Sequence, residues 1–321
     1  MVRGDHGVIA VTAGDPSGIG PEVILKAVPA LPGTLRDRLV IIGDRIVFAA
    51  ASKRLRLPLP ARPMRFIDCG AVSPCDPGRS SAAAGRASLG YLDRAVSLWR
   101  GGELQALVTA PVTKWAIGKA APSFVGQTEH LARAMGRRDA LMMFVSDRLR
   151  VALLTRHIPL ARVSSALNQP MLNRALKLIA AELTTQFGIR RPKLAICGLN
   201  PHAGEEARCG REERDIMLPA LRSLRRQGIV CDGPFAADGF FAAGYRTYDA
   251  VVCAYHDQGL IPFKMLARDR GCQLSVGLPI PRTSPDHGSA LDIAGRGIAD
   301  PGSMIYAIRL AAKLACSRSA R

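Results

Sequence analysis

Residues 251–303 read VVCAYHDQGLIPFKMLARDRGCQLSVGLPIPRTSPDHGSALDIAGRGIADPGS. The stretch opens on a short apolar run, Val251 to Ala254, with the length and composition of a buried strand. That run delivers His256 and Asp257 into a Gly-containing turn. Lys264, Arg282, Asp286 and His287 follow, among glycines at 277, 288, 295 and 297. Polar groups gathered just past a buried strand mark a site at the carboxyl end of a parallel sheet. The plainer reading is a string of satisfied loop residues. A metal-capable His, two cations and a Gly-rich turn in one stretch weigh against it.

The same context recurs twice upstream. His157 follows RVALLT and His202 follows KLAICGLN, each just past the end of an apolar strand. Neutral imidazoles are the commonest metal ligands, and three of them leave a coordination position open for substrate. Asp238 and Asp257 are candidate further ligands or orienting partners. His6 and His130 lack this context and read as surface residues. Lys114, Lys264 and Arg282 are the cations closest to turns, and a phosphorylated substrate needs fixed positive charge.

Outward from these segments, strands alternate with helices, which argues α/β with a largely parallel sheet. GVIAVTA (7–13) and RLVIIGD (38–44) read as strands, with a helix beginning near Pro21 after GDPSGIGPE and another running to Ala51. The GxG here fails the dinucleotide fingerprint, since Val23 stands at its third glycine position. Residues 57–63 read as a loop, and 69–85 as a second, mobile one. A helix to Arg100 carries a core stripe of Leu89, Leu92, Val96 and Trp99. Lys114 and Thr128 stand at helix starts. Further helices are expected from Pro170 (burying Leu172, Leu176, Ile179 and Leu183), over 211–228 and over 302–316, with 233–238 a loop ending in Asp238.

At 321 residues two domains are expected. With no long uncharged apolar segment and no cleavage pattern at the N-terminus, the chain reads as a soluble cytoplasmic protein without a membrane partner. The eight cysteines form no CxxC pair and read as buried thiols in a reducing compartment. The net charge of +18 is spread as isolated arginines, and aromatics are 5%, so base-stacking platforms are scarce and nucleic acid is not the expected partner.

GDPSGIGPE, VTAPVTK, GQTEH, TRHIPL, GLNPHAGE, AYHDQGLIPFK and GLPIPRTSPDHGSALDIAGRGIADPGS together resemble the 4-hydroxythreonine-4-phosphate dehydrogenase family of pyridoxal phosphate biosynthesis. The last segment and GIGPE also resemble the wider isocitrate and isopropylmalate dehydrogenase group, whose HGSA-type loop binds NAD. The resemblance implies two α/β domains with mostly parallel sheets and an interdomain cleft. Residues 1–128 with 279–321 would bind the cofactor, and 129–278 the metal and substrate. It implies a homodimer with a shared active site. It also implies NAD or NADP at His287, Gly288 and Ser289, and a divalent metal on His157, His202 and His256. For that metal zinc is favoured, with magnesium, manganese or cobalt as alternatives.

The substrate contacts carried over are Gln127, Thr128, Lys264, Gln273 and Arg282, with Lys264 and Asp257 as candidate catalytic groups. Two positions depart from the family: Gln127 replaces the His of GHTE, and Gln273 replaces an Asn. The implied reaction is metal-assisted oxidation of the phosphorylated hydroxy-amino acid 4-phosphohydroxy-L-threonine to a β-keto acid, 2-amino-3-oxo-4-phosphooxybutanoate. That product decarboxylates to 3-amino-2-oxopropyl phosphate. 4-Phosphothreonate or an aromatic cis-dihydrodiol carboxylate is the alternative substrate. A zinc hydrolase would use the same histidines but leaves HGSALDIAGRG unexplained.

Overall fold

The structure, a computed structural model, describes residues 7–59, 65–72 and 75–319. His6 and most of the loop read at 57–63 lie outside the described residues. In chain order the elements run β1 Val8–Thr12, α1 Gly20–Ala27, α2 Gly33–Arg36, β2 Leu39–Gly43, α3 Arg45–Leu55, β3 Arg65–Asp68, α4 Ala82–Arg100, β4 Leu104–Thr109, α5 Lys114–Ala120 and α6 Gln127–Ala134. They continue β5 Leu141–Ser146, β6 Arg150–Leu153, α7 Val163–Ala166, α8 Gln169–Thr185, β7 Lys193–Cys197, α9 Leu218–Arg226, β8 Val230–Phe235 and α10 Ala237–Ala243. The last are β9 Ala250–Cys253, α11 His256–Ala267, β10 Gly271–Val276, β11 Arg282–Pro285 and α12 Gly302–Ser319.

The chain divides into two compact units, Met1–Ala140 with Cys272–Arg321, and Leu141–Gly271. The sequence reading cut at 128/129 and 278/279. The cuts differ because α6 packs against α4, while β11 pairs with β4 and carries β10 with it.

In the first unit the strand order is β3-β2-β1-β4-β11-β10, parallel except that β10 runs antiparallel to β11. Ile9, Ala10, Val11, Ile41 and Ile42 are fully buried, as expected for central parallel strands covered on both faces. The Ser81 hydroxyl caps α4 by accepting from Ala84 N at 3.2 Å. The stripe expected on α4 is corrected. Leu92 and Val96 are buried, but Leu89 and Trp99 only partly so. Ala84, Ala87, Ser88, Tyr91, Ala95 and Leu98 complete the buried face, because small residues let the helix lie close to its neighbours.

Part of the stretch read as a mobile loop is hydrogen-bonded within the first unit. Ala71 N and Val72 N donate to the buried Asp44 carboxylate at 3.0 and 2.9 Å, and Tyr91 Oη donates to it at 2.8 Å. Burial and that carboxylate push the Tyr91 phenol far above its ordinary pKa. β3 went unread because four residues with one alternation carry little strand signal.

In the second unit the order is β5-β6-β9-β7-β8, with β5 and β6 an antiparallel hairpin and the remaining pairs parallel. Asn168 caps α8 by accepting from Met171 N at 2.9 Å, and Leu172, Leu176, Ile179 and Leu183 are fully buried as expected. The helix read over 211–228 forms, but its first part is a π-helical turn, Glu213–Met217, leading into α9. Pro219, without an N–H and with its ring against the preceding turn, fits that wider turn. The expected loop at 233–238 is also corrected: β8 runs through Phe235, and Asp238 lies exposed on the first turn of α10. Pairing with β7 overrides the local Gly-Pro signal.

Each unit is α/β with a mostly parallel sheet. All eight cysteines are free, and Cys197, Cys231, Cys253 and Cys272 are buried. Burial, with a hydrogen bond to Cys197, pushes the Cys253 thiol well up. Among the described residues no helix is long and apolar enough to cross a membrane.

Candidate functional site

In the second unit β9 lies between β6 and β7, all parallel, so their carboxyl ends stand side by side. The segments leaving those ends carry His157, His202 and His256. His256 does not sit in a turn; it opens α11 after the extended Tyr255, with Asp257 in the first turn. A carboxylate there suits the positive end of the helix dipole. Gly259 does not make a turn either. A Cβ there would collide with Val151 Cγ1, so glycine lets α11 seat directly on β6.

The rings of His157 and His256 lie 5.8 Å apart, centroid to centroid. His256 Nδ1 stands 2.6 Å from Asp257 Oδ1. A carboxylate acceptor there makes Nδ1 the donor and leaves Nε2 as the lone pair. Asp257 thus orients the imidazole.

His202 sits exposed in a left-handed turn, with φ of 53°, 52°, 86°, 42° and 55° from His202 to Glu206. Four of those residues are not glycine, so side-chain contacts must hold the turn. The buried Glu213 carboxylate accepts from Asn200 N at 2.8 Å and Asn200 Nδ2 at 2.9 Å. Glu212 accepts from Asn200 Nδ2 at 2.7 Å and from Ser164 Oγ, and these bonds lower its carboxyl pKa. Gln258 links the two histidine segments: Nε2 donates to Gly198 O at 2.6 Å and Oε1 accepts from Ala254 N at 2.7 Å.

Sequence reasoning missed Glu213, Asn200 and Gln258. Their signal was an acidic or amide residue near the His202 and His256 motifs. Lys264 is exposed on α11 and Lys114 is the exposed first residue of α5.

In the first unit Arg282 is only 2% exposed. Its Nη1 donates to Gln273 Oε1 at 2.8 Å, Ser275 Oγ at 2.9 Å and Thr128 Oγ1 at 3.2 Å, and Nη2 donates to Thr109 Oγ1. Burial pulls its pKa down to about 10, while the Glu129 charge works against that shift. Gln273 faces Ser284 across the β10–β11 hairpin, and Ser284 Oγ donates to the same Oε1 at 2.8 Å. Thr128 does not cap α6; Gly126 holds the cap position and the Thr128 hydroxyl turns to Arg282. Three candidate substrate contacts therefore form one buried polar network. Gln127 stands apart from it: Nε2 donates to Ala110 O at 3.2 Å, and its buried Oε1 has no partner.

The 287–289 segment meets the loops that leave β1 and β4. Ile19 N donates to Ser289 O at 3.0 Å, and Thr113 Oγ1 donates to Ser289 Oγ at 2.9 Å. A Cβ at Gly18 would press on Ser289 O at 2.9 Å, and Gly14, at φ +73°, lies against Pro111 O. His287 Nδ1 lies 3.0 Å from Gly288 O, and its Nε2 is buried without a partner. Asp15, fully buried, accepts from Ser17 N at 2.9 Å and Ser80 Oγ at 2.6 Å, closing the GDPSG turn on itself.

Fold and side chains define an α/β protein whose three candidate metal-ligating histidines follow the carboxyl ends of neighbouring parallel strands. The chain belongs to the PdxA family: the family model described as pyridoxal phosphate biosynthetic protein PdxA matches residues 35–311. A relative from Chromobacterium violaceum, named 4-hydroxythreonine-4-phosphate dehydrogenase, is 43% identical over 320 residues, covering 96% of this chain and 97% of its own. The solved 4-hydroxythreonine-4-phosphate dehydrogenase from Klebsiella pneumoniae is 35% identical, with a TM-score of 0.87 over 97% of this chain and 98% of its own. A terephthalate 1,2-cis-dihydrodiol dehydrogenase from Burkholderia xenovorans is 32% identical, with a TM-score of 0.65 over 96% and 98%.

Proposed function

We propose that this protein oxidises 4-phosphohydroxy-L-threonine with NAD or NADP to 2-amino-3-oxo-4-phosphooxybutanoate, which loses CO2 to give 3-amino-2-oxopropyl phosphate. The observation that carries this reading is near-full-length similarity to relatives of 38–43% identity that all bear the name of that dehydrogenase. The dihydrodiol reading is less favoured, since its structural relative has the lower identity and TM-score.

Two of the three proposed donors, His157 and His256, are spaced to suit a divalent ion, zinc first. Two imidazoles sharing a tetrahedral ion at about 2.1 Å have centroids roughly 5–6 Å apart, which matches His157 and His256 at 5.8 Å. Among the described residues no three His, Cys, Asp or Glu side chains are gathered for an ion, so His202 does not stand with the pair; it is proposed as third ligand because its segment leaves β7, the neighbour of β9. When bound, the metal supplies Lewis acidity at the substrate hydroxyl and the nicotinamide supplies the hydride acceptor.

The chain's own residues do the rest. Asp257 holds the His256 tautomer. Gln258 keeps the segments after β7 and β9 in fixed relation. The 287–289 segment seats the cofactor on the loops after β1 and β4. Arg282 acts through its field, as a fixed positive charge in a nest of hydroxyls and one amide that favours the substrate's phosphate and carboxylate. Lys264 adds an exposed point charge, and Gln127, with a free acceptor, contacts the substrate. The working unit is a homodimer.

The test is a substrate comparison read by reduced-cofactor absorbance with 4-phosphohydroxythreonine, 4-phosphothreonate and a cis-dihydrodiol carboxylate. The first should show the highest kcat/KM. Preference for the dihydrodiol, or no turnover of any, ends this reading. Size-exclusion chromatography with light scattering should return twice the chain mass.

A further inference from the structure

We propose that Glu22 and Lys26 are positioning residues for the nicotinamide cofactor, clamping the 287–299 segment at the end remote from Ser289. The proposal rests on the reading of that segment as cofactor-binding.

From Asp286 to Pro301 the backbone forms neither helix nor strand, so its N–H and C=O groups have no ladder to satisfy them. Its first part is fastened by Ile19 N and Thr113 Oγ1 at Ser289. Its last part is fastened by two side chains of α1. Glu22, 2% exposed, accepts from Ala299 N at 2.9 Å and from Gly297 N at 3.4 Å. Lys26 Nζ donates to Ala299 O at 2.7 Å, to Gly297 O at 2.8 Å and to Glu22 Oε1 at 2.8 Å.

A lysine ammonium has three protons, and all three are used. Together the two side chains bond both the N–H and the C=O of Gly297 and of Ala299, as a neighbouring strand would. As an i,i+4 ion pair alone they would add little. Their partners are instead backbone groups more than 270 residues away. The packing of α1 itself runs through Val23, Ile24 and Leu25, all fully buried, and does not need them. The clamp therefore fixes the shape of the segment.

The experiment uses the full chain with Lys26→Met, Lys26→Arg and Glu22→Gln. Lys26→Met should raise the cofactor KM about tenfold, with kcat and the KM of the hydroxy-amino-acid substrate within about twofold of the unaltered enzyme. Lys26→Arg should recover part of that loss. Amide exchange at Gly297 and Ala299 should speed up in Lys26→Met and Glu22→Gln. If Lys26→Met does not fold, the other two carry the test, and an unchanged cofactor KM in both overturns the proposal. So does an equal loss in kcat, both KM values and Tm, which would mark a general structural role. Failure of the unaltered protein to bind NAD+ or NADP+ in a titration overturns the cofactor reading itself. Binding by the unaltered protein with the same affinity in all three variants overturns the clamp alone.

Discussion

The Arg282 network of the first unit and the histidine segments of the second handle polar groups in opposite ways. Arg282 is removed from water, and neutral hydroxyls and an amide converge on it from two strands and a helix. His157 and His202 are exposed, and the segment of His202 is held by Glu213, through Asn200, and by Gln258. A buried charge punishes any loss of a partner with the full desolvation cost, whereas an exposed imidazole can be removed at little cost to folding. Stability and chemistry should therefore separate between the two regions.

Replacing Arg282 with Met tests the first half of that contrast and should have the largest effect. It removes the shared donor of Gln273, Ser275, Thr128 and Thr109, and about 3 kcal/mol of stability should be lost in urea unfolding, along with activity. A variant of unchanged midpoint would break the comparison. The difference should stay flat between about pH 6 and 9. With a folded pKa of about 10, below the unfolded value, the native state gives up its proton first. The cost of the buried charge is thus present below that pH and eases only as pH rises through it.

His202→Ala tests the second half. Turnover should fall at least about 100-fold with Tm moved by no more than about 2 °C, and zinc titration of metal-free protein should lose its tight phase. Dialysis against a chelator should reproduce the activity loss in the unaltered enzyme, with zinc restoring it; retained activity would remove the ion from the reaction.

A smaller effect is expected for Glu213→Gln, which keeps the shape of the support under His202 but not its charge: metal Kd should rise about tenfold. No change would mean that the left-handed turn holds itself. The smallest effect expected is for Ser81→Ala, which removes only the α4 cap. It should cost about 1 kcal/mol in unfolding with cofactor and metal binding untouched.

Much of this was legible in the chain because the signals are local. The apolar runs before His157, His202 and His256 became β6, β7 and β9, and the motif GLPIPRTSPDHGSALDIAGRG carried the family with it. The errors share one cause, local signals overridden by distant partners. His256 was read into a turn because Gly259 follows it, yet that glycine serves the packing of α11 on β6. Thr128 was read as a cap because of its place in the sequence, yet Arg282, 154 residues away, takes its hydroxyl. The segment after Cys69 was read as mobile because Gly, Ser and Pro abound, yet Asp44, itself bonded by Tyr91, accepts from Ala71 and Val72 within it.

By itself, then, the sequence determined the alternation of elements, the α/β class, the positions of the three histidines past strand ends and membership of the PdxA family. Each of these depends on periodicity or on residue identity within a few positions. Only the tertiary structure decided that Arg282 is buried rather than presented, that Asp257 orients His256, that Glu213 supports the His202 turn, and that Glu22 and Lys26 grip Gly297 and Ala299. A hydrogen bond depends on distance and direction in space, and groups up to 277 residues apart in the chain acquire those only when the sheet and helices have formed.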